Sequence, residues 1–159
     1  MSSAQQKRRL FLKSTLASST LSVAIAAGLI TPKMVLAAWP KAAFAAKEID
    51  SALQAVLGSA ETTPSDKIKI KAPDIAENGA VVPITINTSL PNIEGIAIIA
   101  AKNSTPLTSS YQLASNAEGY LSTRIKMGKT SDIIVIVKSN GKLYSAQKEV
   151  KVTIGGCGG

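Results

Sequence analysis

The one residue in this chain with soft, nucleophilic chemistry is Cys157, set in Ile154-Gly155-Gly156-Cys157-Gly158-Gly159. A free cysteine is ordinarily buried as a small hydrophobe. Here two glycines on each side give it nothing to pack with and leave the backbone free to turn in any direction. From Ile154 to Cys157 is three residues, a reach of roughly 10 Å when extended. A thiol on a tether without side chains can enter a narrow channel in another protein. That geometry suits a carrier whose bound group visits several active sites. It suits an enzyme poorly, because an enzyme holds its nucleophile rigidly beside a base. Activation of the thiol then falls to a partner enzyme.

The rest of the composition removes competing chemistries. The chain has 159 residues, 18 Lys+Arg against 10 Asp+Glu, no His and a single Cys. Zinc, haem and iron–sulfur sites are left with too few ordinary ligands. No Ser–His or Cys–His catalytic pair is possible, and no intramolecular disulfide. No GxGxxG, Walker loop or CxxCH motif is present, so no cofactor, no metal site and no catalytic residue is expected. Residues 1–37 hold five of the basic residues (Lys7, Arg8, Arg9, Lys13, Lys33) and no acidic one, so 13 basic face 10 acidic residues in the remainder, a net of +3. Those lysines are scattered, without a basic stripe interleaved with aromatics, which argues against nucleic-acid binding.

The N-terminal segment reads as an export signal. Lys7-Arg8-Arg9-Leu10-Phe11-Leu12-Lys13 resembles the twin-arginine signal at six of its seven positions, with Lys7 in place of the usual Ser or Thr. Ser14 to Ile30 carries Ser or Thr at 14, 15, 18, 19, 20 and 22, too polar for the roughly 20 strongly apolar residues of a spanning helix; no stable membrane anchor is expected. Val35-Leu36-Ala37 followed by Ala38 is a small-residue cleavage site, with Ala43-Phe44-Ala45 a second candidate. Cleavage after Ala37 and residence in the periplasm are the expectation. Twin-arginine export serves proteins that fold before crossing, and without a cofactor motif a partner assembled beforehand is the better reason for it.

The elements that position the thiol follow from periodicity. Pro40 suits a first helical position. Lys41 to Leu57 places Ala42, Ala45, Ile49, Leu53 and Val56 on one stripe, predicting one helix ended by Gly58. Ser59 to Asp66 reads as a linker. Short strands follow: Lys67–Lys71; Ala80–Asn87, where Pro83 implies an edge or bulge; Ile96–Ala101; Ser109–Leu113; Tyr120–Met127; Ile133–Val137; and Lys142–Ile154. Pro73 to Gly79 is turn chemistry, and Asn140-Gly141 is a hairpin turn. About seven strands without intervening helices predict an all-β, antiparallel, immunoglobulin-like sandwich with a short N-terminal helix and a flexible tail. The expected organisation is 1–37 signal peptide, 38–66 helix and linker, 67–154 sandwich, and 155–159 swinging tail.

Two strands, Ile96–Ala101 and Ile133–Val137, are apolar on both faces, so something covers the outside of their sheet. Either the N-terminal helix or another subunit supplies the cover. One helix spans roughly two strands, which favours a subunit seated around Ile98 and Val135.

With these residues in place a family resemblance can be given. The chain resembles the SoxY family in its twin-arginine signal, in Ala38-Trp39-Pro40-Lys41, in Ala72-Pro73-Asp74-Ile75-Ala76-Glu77-Asn78-Gly79 and in the Gly-Gly-Cys-Gly-Gly end. The resemblance implies an immunoglobulin-like sulfur carrier of the periplasmic thiosulfate-oxidising system, not an enzyme, paired as a heterodimer with a separate SoxZ-like β-sandwich subunit. It implies a haem-containing loading enzyme that joins thiosulfate to Cys157, a sulfate-releasing hydrolase and a sulfane-oxidising enzyme as further partners, with Gly155, Gly156, Gly158 and Gly159 as the tether. Two other readings compete with it. A Gly-Gly-terminated carrier loaded as a thiocarboxylate needs ATP in the cytoplasm, against which Arg8-Arg9 and Cys157 both argue. A structural β-sandwich subunit would leave the thiol without a role.

Overall fold

The two-layer arrangement follows from where the alternating and continuous apolar runs fall. The structure, a computed structural model, describes residues 40–153 apart from Ser115. After two short helices, α1 (Lys41–Ala45) and α2 (Ile49–Leu57), come nine strands: β1 (Thr63–Pro64), β2 (Ile68–Lys71), β3 (Ile75–Ala76), β4 (Val82–Thr88), β5 (Ile93–Ala100), β6 (Leu107–Gln112), β7 (Tyr120–Ile125), β8 (Ser131–Ser139) and β9 (Lys142–Val152). One sheet has the order β1-β9-β8-β5-β6, with β3 attached to β9; the other has the order β2-β4-β7. The architecture is an immunoglobulin-like β-sandwich.

The interior lies between the sheets. Ile68, Val82, Ile84, Ile86 and Ile125 from the smaller sheet meet Ile96, Ile98, Ile133, Val135, Val137 and Val150 from the larger one. Each of these strands alternates, so its inward residues are every second one. Pro83 sits in the middle strand of the smaller sheet. β2 pairs only with Thr85–Thr88, so Pro83 lies beyond its reach and has a ladder partner, Arg124, on one side only. At Asn140-Gly141 both residues have positive φ, 49° and 72°, as the two-residue hairpin joining β8 to β9 requires.

The apolar outer face is covered from within the chain. Ala97 and Ile99 of β5, Ile136 of β8, Leu107 of β6 and Leu143 of β9 form a second buried cluster with Ala43, Ala52 and Leu53 of the helices. Two expectations are corrected here. Ile98 and Val135 point into the sandwich, not outward. The cover over their sheet is helical: α1 packs on β6, and α2 on β5 and β6.

The helix differs from its expectation too. In place of one helix over 41–57 there are two, separated by Ala46 and Glu48 in extended conformation, ψ 139° and 141°. The break re-aims the first turn, so Ala43 is buried whereas Ala42 and Ala45 are exposed. Gly58 ends α2 with φ 82°, its N–H donating to Gln54 O at 3.1 Å. The expected linker contains β1, which pairs in parallel with Tyr144–Ser145 of β9, and the expected turn at Pro73–Gly79 contains β3.

Candidate functional site

Cys157, its flanking Gly155, Gly156, Gly158 and Gly159, the signal residues Arg8 and Arg9, and Ala37 all lie outside the described residues. What the structure describes is the strand that leads to the thiol. β9 runs eleven residues from the Asn140-Gly141 hairpin to Val152, and Thr153 is four residues before Cys157.

The last residues of β9 are bonded on both sides. β3 lies parallel to them, pairing Ile75 with Lys151 and Ala76 with Val152. The Lys151 N–H donates to Asp74 O at 2.9 Å and the Thr153 N–H to Ala76 O at 3.1 Å. On the opposite side β8 pairs as far as Ser131 with Val150. There the Thr130 hydroxyl takes over from the backbone, accepting the Val152 N–H at 2.9 Å. Each N–H from Lys151 to Thr153 thus has a partner.

Side chains brace the same place. Lys148 Nζ donates to Ala72 O at 2.7 Å and pairs with Asp74 Oδ1 at 3.0 Å. Met127 N–H donates to Gly79 O at 2.7 Å. Gly79 has no room for a larger residue: a Cβ there would run into the Met127 carbonyl oxygen and stand 2.8 Å from Val152 Cγ1. The segment Ala72–Gly79 is therefore the mooring for the end of β9. From sequence it read as turn chemistry and as part of the family resemblance, with no structural role assigned to it. The signal for its role lay in the pairing of a long final strand with two-residue strands, which single-sequence periodicity does not register.

The surface around this mooring is apolar at two points. Ile75 is 57% exposed and Val81 50% exposed. Val81 N–H donates to Asn78 O, so both belong to the same looped segment.

Among the described residues no group of three or more His, Cys, Asp or Glu could hold a metal ion. No described helix is long and apolar enough to cross a membrane.

Comparison with known proteins bears on this end of the molecule directly. The sequence matches the family model for the sulfur oxidation protein SoxY over residues 53–157, a span that includes both the mooring segment and Cys157. It is similar to the solved structure of the sulfur carrier protein SoxY from Chlorobium limicola f thiosulfatophilum, with 43% identity, 67% of this chain and 97% of that chain covered, and a TM-score of 0.61. It also resembles a superoxide reductase (neelaredoxin) from Ignicoccus hospitalis at 21% identity, covering 55% of this chain and 80% of that one, with a TM-score of 0.49; nothing about function follows from that likeness. No curated protein matches. With its family model spanning most of the sandwich and Cys157, and a 43% identical solved relative, the chain belongs to the SoxY family.

Proposed function

We propose that this protein carries sulfur intermediates of thiosulfate oxidation as covalent adducts on Cys157. The observation that carries the proposal is the single Cys, between glycine pairs, five residues beyond Val152, where a strand bonded on both sides ends. As a member of a family of sulfur oxidation proteins whose 43% identical relative is a sulfur carrier, the chain is a carrier and not an enzyme. In loading, the Cys157 S–H bond is lost and a bond forms to the sulfane sulfur of thiosulfate, giving Cys–S–S–SO3⁻. One proton goes to water and two electrons go to a haem-containing enzyme. Hydrolysis by a second enzyme adds water across the sulfur–sulfonate bond, releasing sulfate and leaving a persulfide on Cys157. A third enzyme oxidises the remaining sulfane sulfur.

The division of labour has a physical basis. The bonded end of β9 fixes where the tether starts. The glycines let the thiol sweep a sphere whose radius from Thr153 is about 13–14 Å. The thiol reaches each partner's active site without movement of the sandwich. Export through the twin-arginine route at Arg8-Arg9, cleavage after Ala37, periplasmic residence and pairing with a separate SoxZ-like subunit complete the proposal.

The test is Cys157→Ser, which keeps the reach but cannot form the sulfur–sulfur bond. Thiosulfate-dependent sulfate release in the reconstituted system is expected to be abolished, with fold and partner binding intact. In the unsubstituted protein, the mass of the peptide containing Cys157, after incubation with thiosulfate and the loading enzyme, is expected to show the adduct. Normal sulfate release with Cys157 unmodified would overturn the mechanism. Blocking the thiol by alkylation leaves a thiocarboxylate carrier or a structural subunit unaffected and so separates those readings.

A further inference from the structure

The end of the sandwich that launches the tether also carries a basic cleft. It has a volume of about 490 Å³ and is lined by Lys102, Asn103, Ser104, Thr105, Lys126 and Lys129, with the backbone of Gly128 completing it. No carboxylate lines it. The ion pairs among the described residues are Lys138–Glu94 and Lys148–Asp74, so the three lysines of the cleft make none. The cleft is braced: Asn103 Nδ2 donates to Lys126 O, and the Gly128 N–H donates to Asn103 Oδ1, each at 2.8 Å. This ties the β5–β6 loop to the β7–β8 loop across the opening.

Topology places this cleft beside the tether's origin. β8 and β9 are antiparallel with Ser131 opposite Val150, so the residues just before Ser131 run alongside those just after Val150. Thr130, next to Lys129, receives the Val152 N–H. Met127, between Lys126 and Gly128, is bonded to Gly79 in the mooring segment. Ala101, next to Lys102, donates to Asp132 O at the start of β8.

We propose that the cleft of Lys102, Lys126 and Lys129 is a resting site for the anionic sulfonate end of the group carried on Cys157. The proposal rests on the carrier reading above. A Cys–S–S–SO3⁻ group presents three oxygens and a negative charge, the counterpart of three lysine ammonium groups beside the Ser104 and Thr105 hydroxyls. The tether's reach of about 13–14 Å from Thr153 brings Cys157 within range of the neighbouring loops. Held there, the disulfide-like bond is shielded from stray thiols until a partner enzyme draws the tether out. Once sulfate has left, the three-oxygen group that the lysines hold is gone and the tether is released.

The test uses a chemical loading step that is independent of any partner enzyme. Tetrathionate reacts with the Cys157 thiolate to give Cys–S–S–SO3⁻ and expel thiosulfate, so all atoms and charges balance without a further oxidant. Intact mass verifies loading of the mature protein and of the Lys126→Ala/Lys129→Ala variant, both of whose substituted side chains are exposed. Loading is expected to shift the amide resonances of Asn103, Gly128 and Lys129 in the unsubstituted protein, and the Asn103 and Gly128 shifts are expected to be lost in the variant. Cleavage of the adduct by a neutral thiol is expected to run roughly three- to tenfold faster in the variant, the size of two exposed charge contacts. Shifts confined to residues beyond Val150, or equal cleavage rates, would overturn the resting site. Neither result touches the carrier reading, which fails if Cys157→Ser still supports sulfate release or if sulfate is released normally with Cys157 unmodified.

Discussion

The outer face of the large sheet and the end of β9 are held by opposite means. The outer face is closed by apolar side chains: Ala43, Ala52 and Leu53 seat on Ala97, Ile99 and Ile136. The end of β9 is held by backbone and hydroxyl hydrogen bonds, while Ile75, next to it, stays exposed. Burial of apolar surface is non-directional and grows with area, so it suits a lid that must only stay shut. Hydrogen bonds fix position and direction with little surface, so they suit an anchor from which a segment must leave in a defined direction.

Breaking the first region should cost the most stability. Leu53→Ala removes a side chain that is 3% exposed and is expected to destabilise the protein by about 2–5 kcal/mol, read by denaturant unfolding. Sulfur transfer under conditions where the variant remains folded should be unchanged. An equally large loss of transfer would show that the helices serve the tether as well.

Gly79→Ala should come next, at about 1–3 kcal/mol, because the new methyl meets the Met127 backbone and Val152. Unlike Leu53→Ala it should also alter transfer, by shifting where the tether starts. Full transfer in a destabilised Gly79→Ala protein would separate the mooring from function.

Thr130→Val keeps the shape but removes the acceptor for the Val152 N–H. About 0.5–1.5 kcal/mol should be lost, with amide exchange accelerated at Val152 and not at Val135. Uniform acceleration would mean that the end of β9 has no stability of its own to lose. Lys148→Ala should have the smallest effect, below about 1 kcal/mol and fading with salt, since its partner Asp74 is 90% exposed.

The same contrast explains what could be read from sequence. The sandwich was legible because Lys67–Lys71 and Tyr120–Met127 alternate apolar and polar residues, and because Asn140-Gly141 marks its hairpin in two residues. The doubly apolar runs at Ile96–Ala101 and Ile133–Val137 were legible as faces needing cover. Which element covers them was not, because the helix is broken at Ala46–Glu48 and a stripe drawn for a continuous helix pointed Ala42 and Ala45 at the sheet. The inward direction of Ile98 and Val135 was hidden for a related reason: a run apolar at every position has no period from which to tell its two faces apart. At the site, Cys157 and its glycines were legible as chemistry. Thr130, Gly79 and the lysines of the cleft were not, since their roles come from loops that only the folded topology brings beside the end of β9.

The direction of β9 has a mechanical consequence. A partner that draws Cys157 into its channel pulls on β9 along its axis. β9 is flanked by β8 from Lys142 to Val150 and by the parallel pairs of β1 and β3. Load in that direction shears the lateral hydrogen bonds together instead of unzipping them one at a time. Pulling therefore tensions a clamp, and the sandwich stays folded while the thiol is at work.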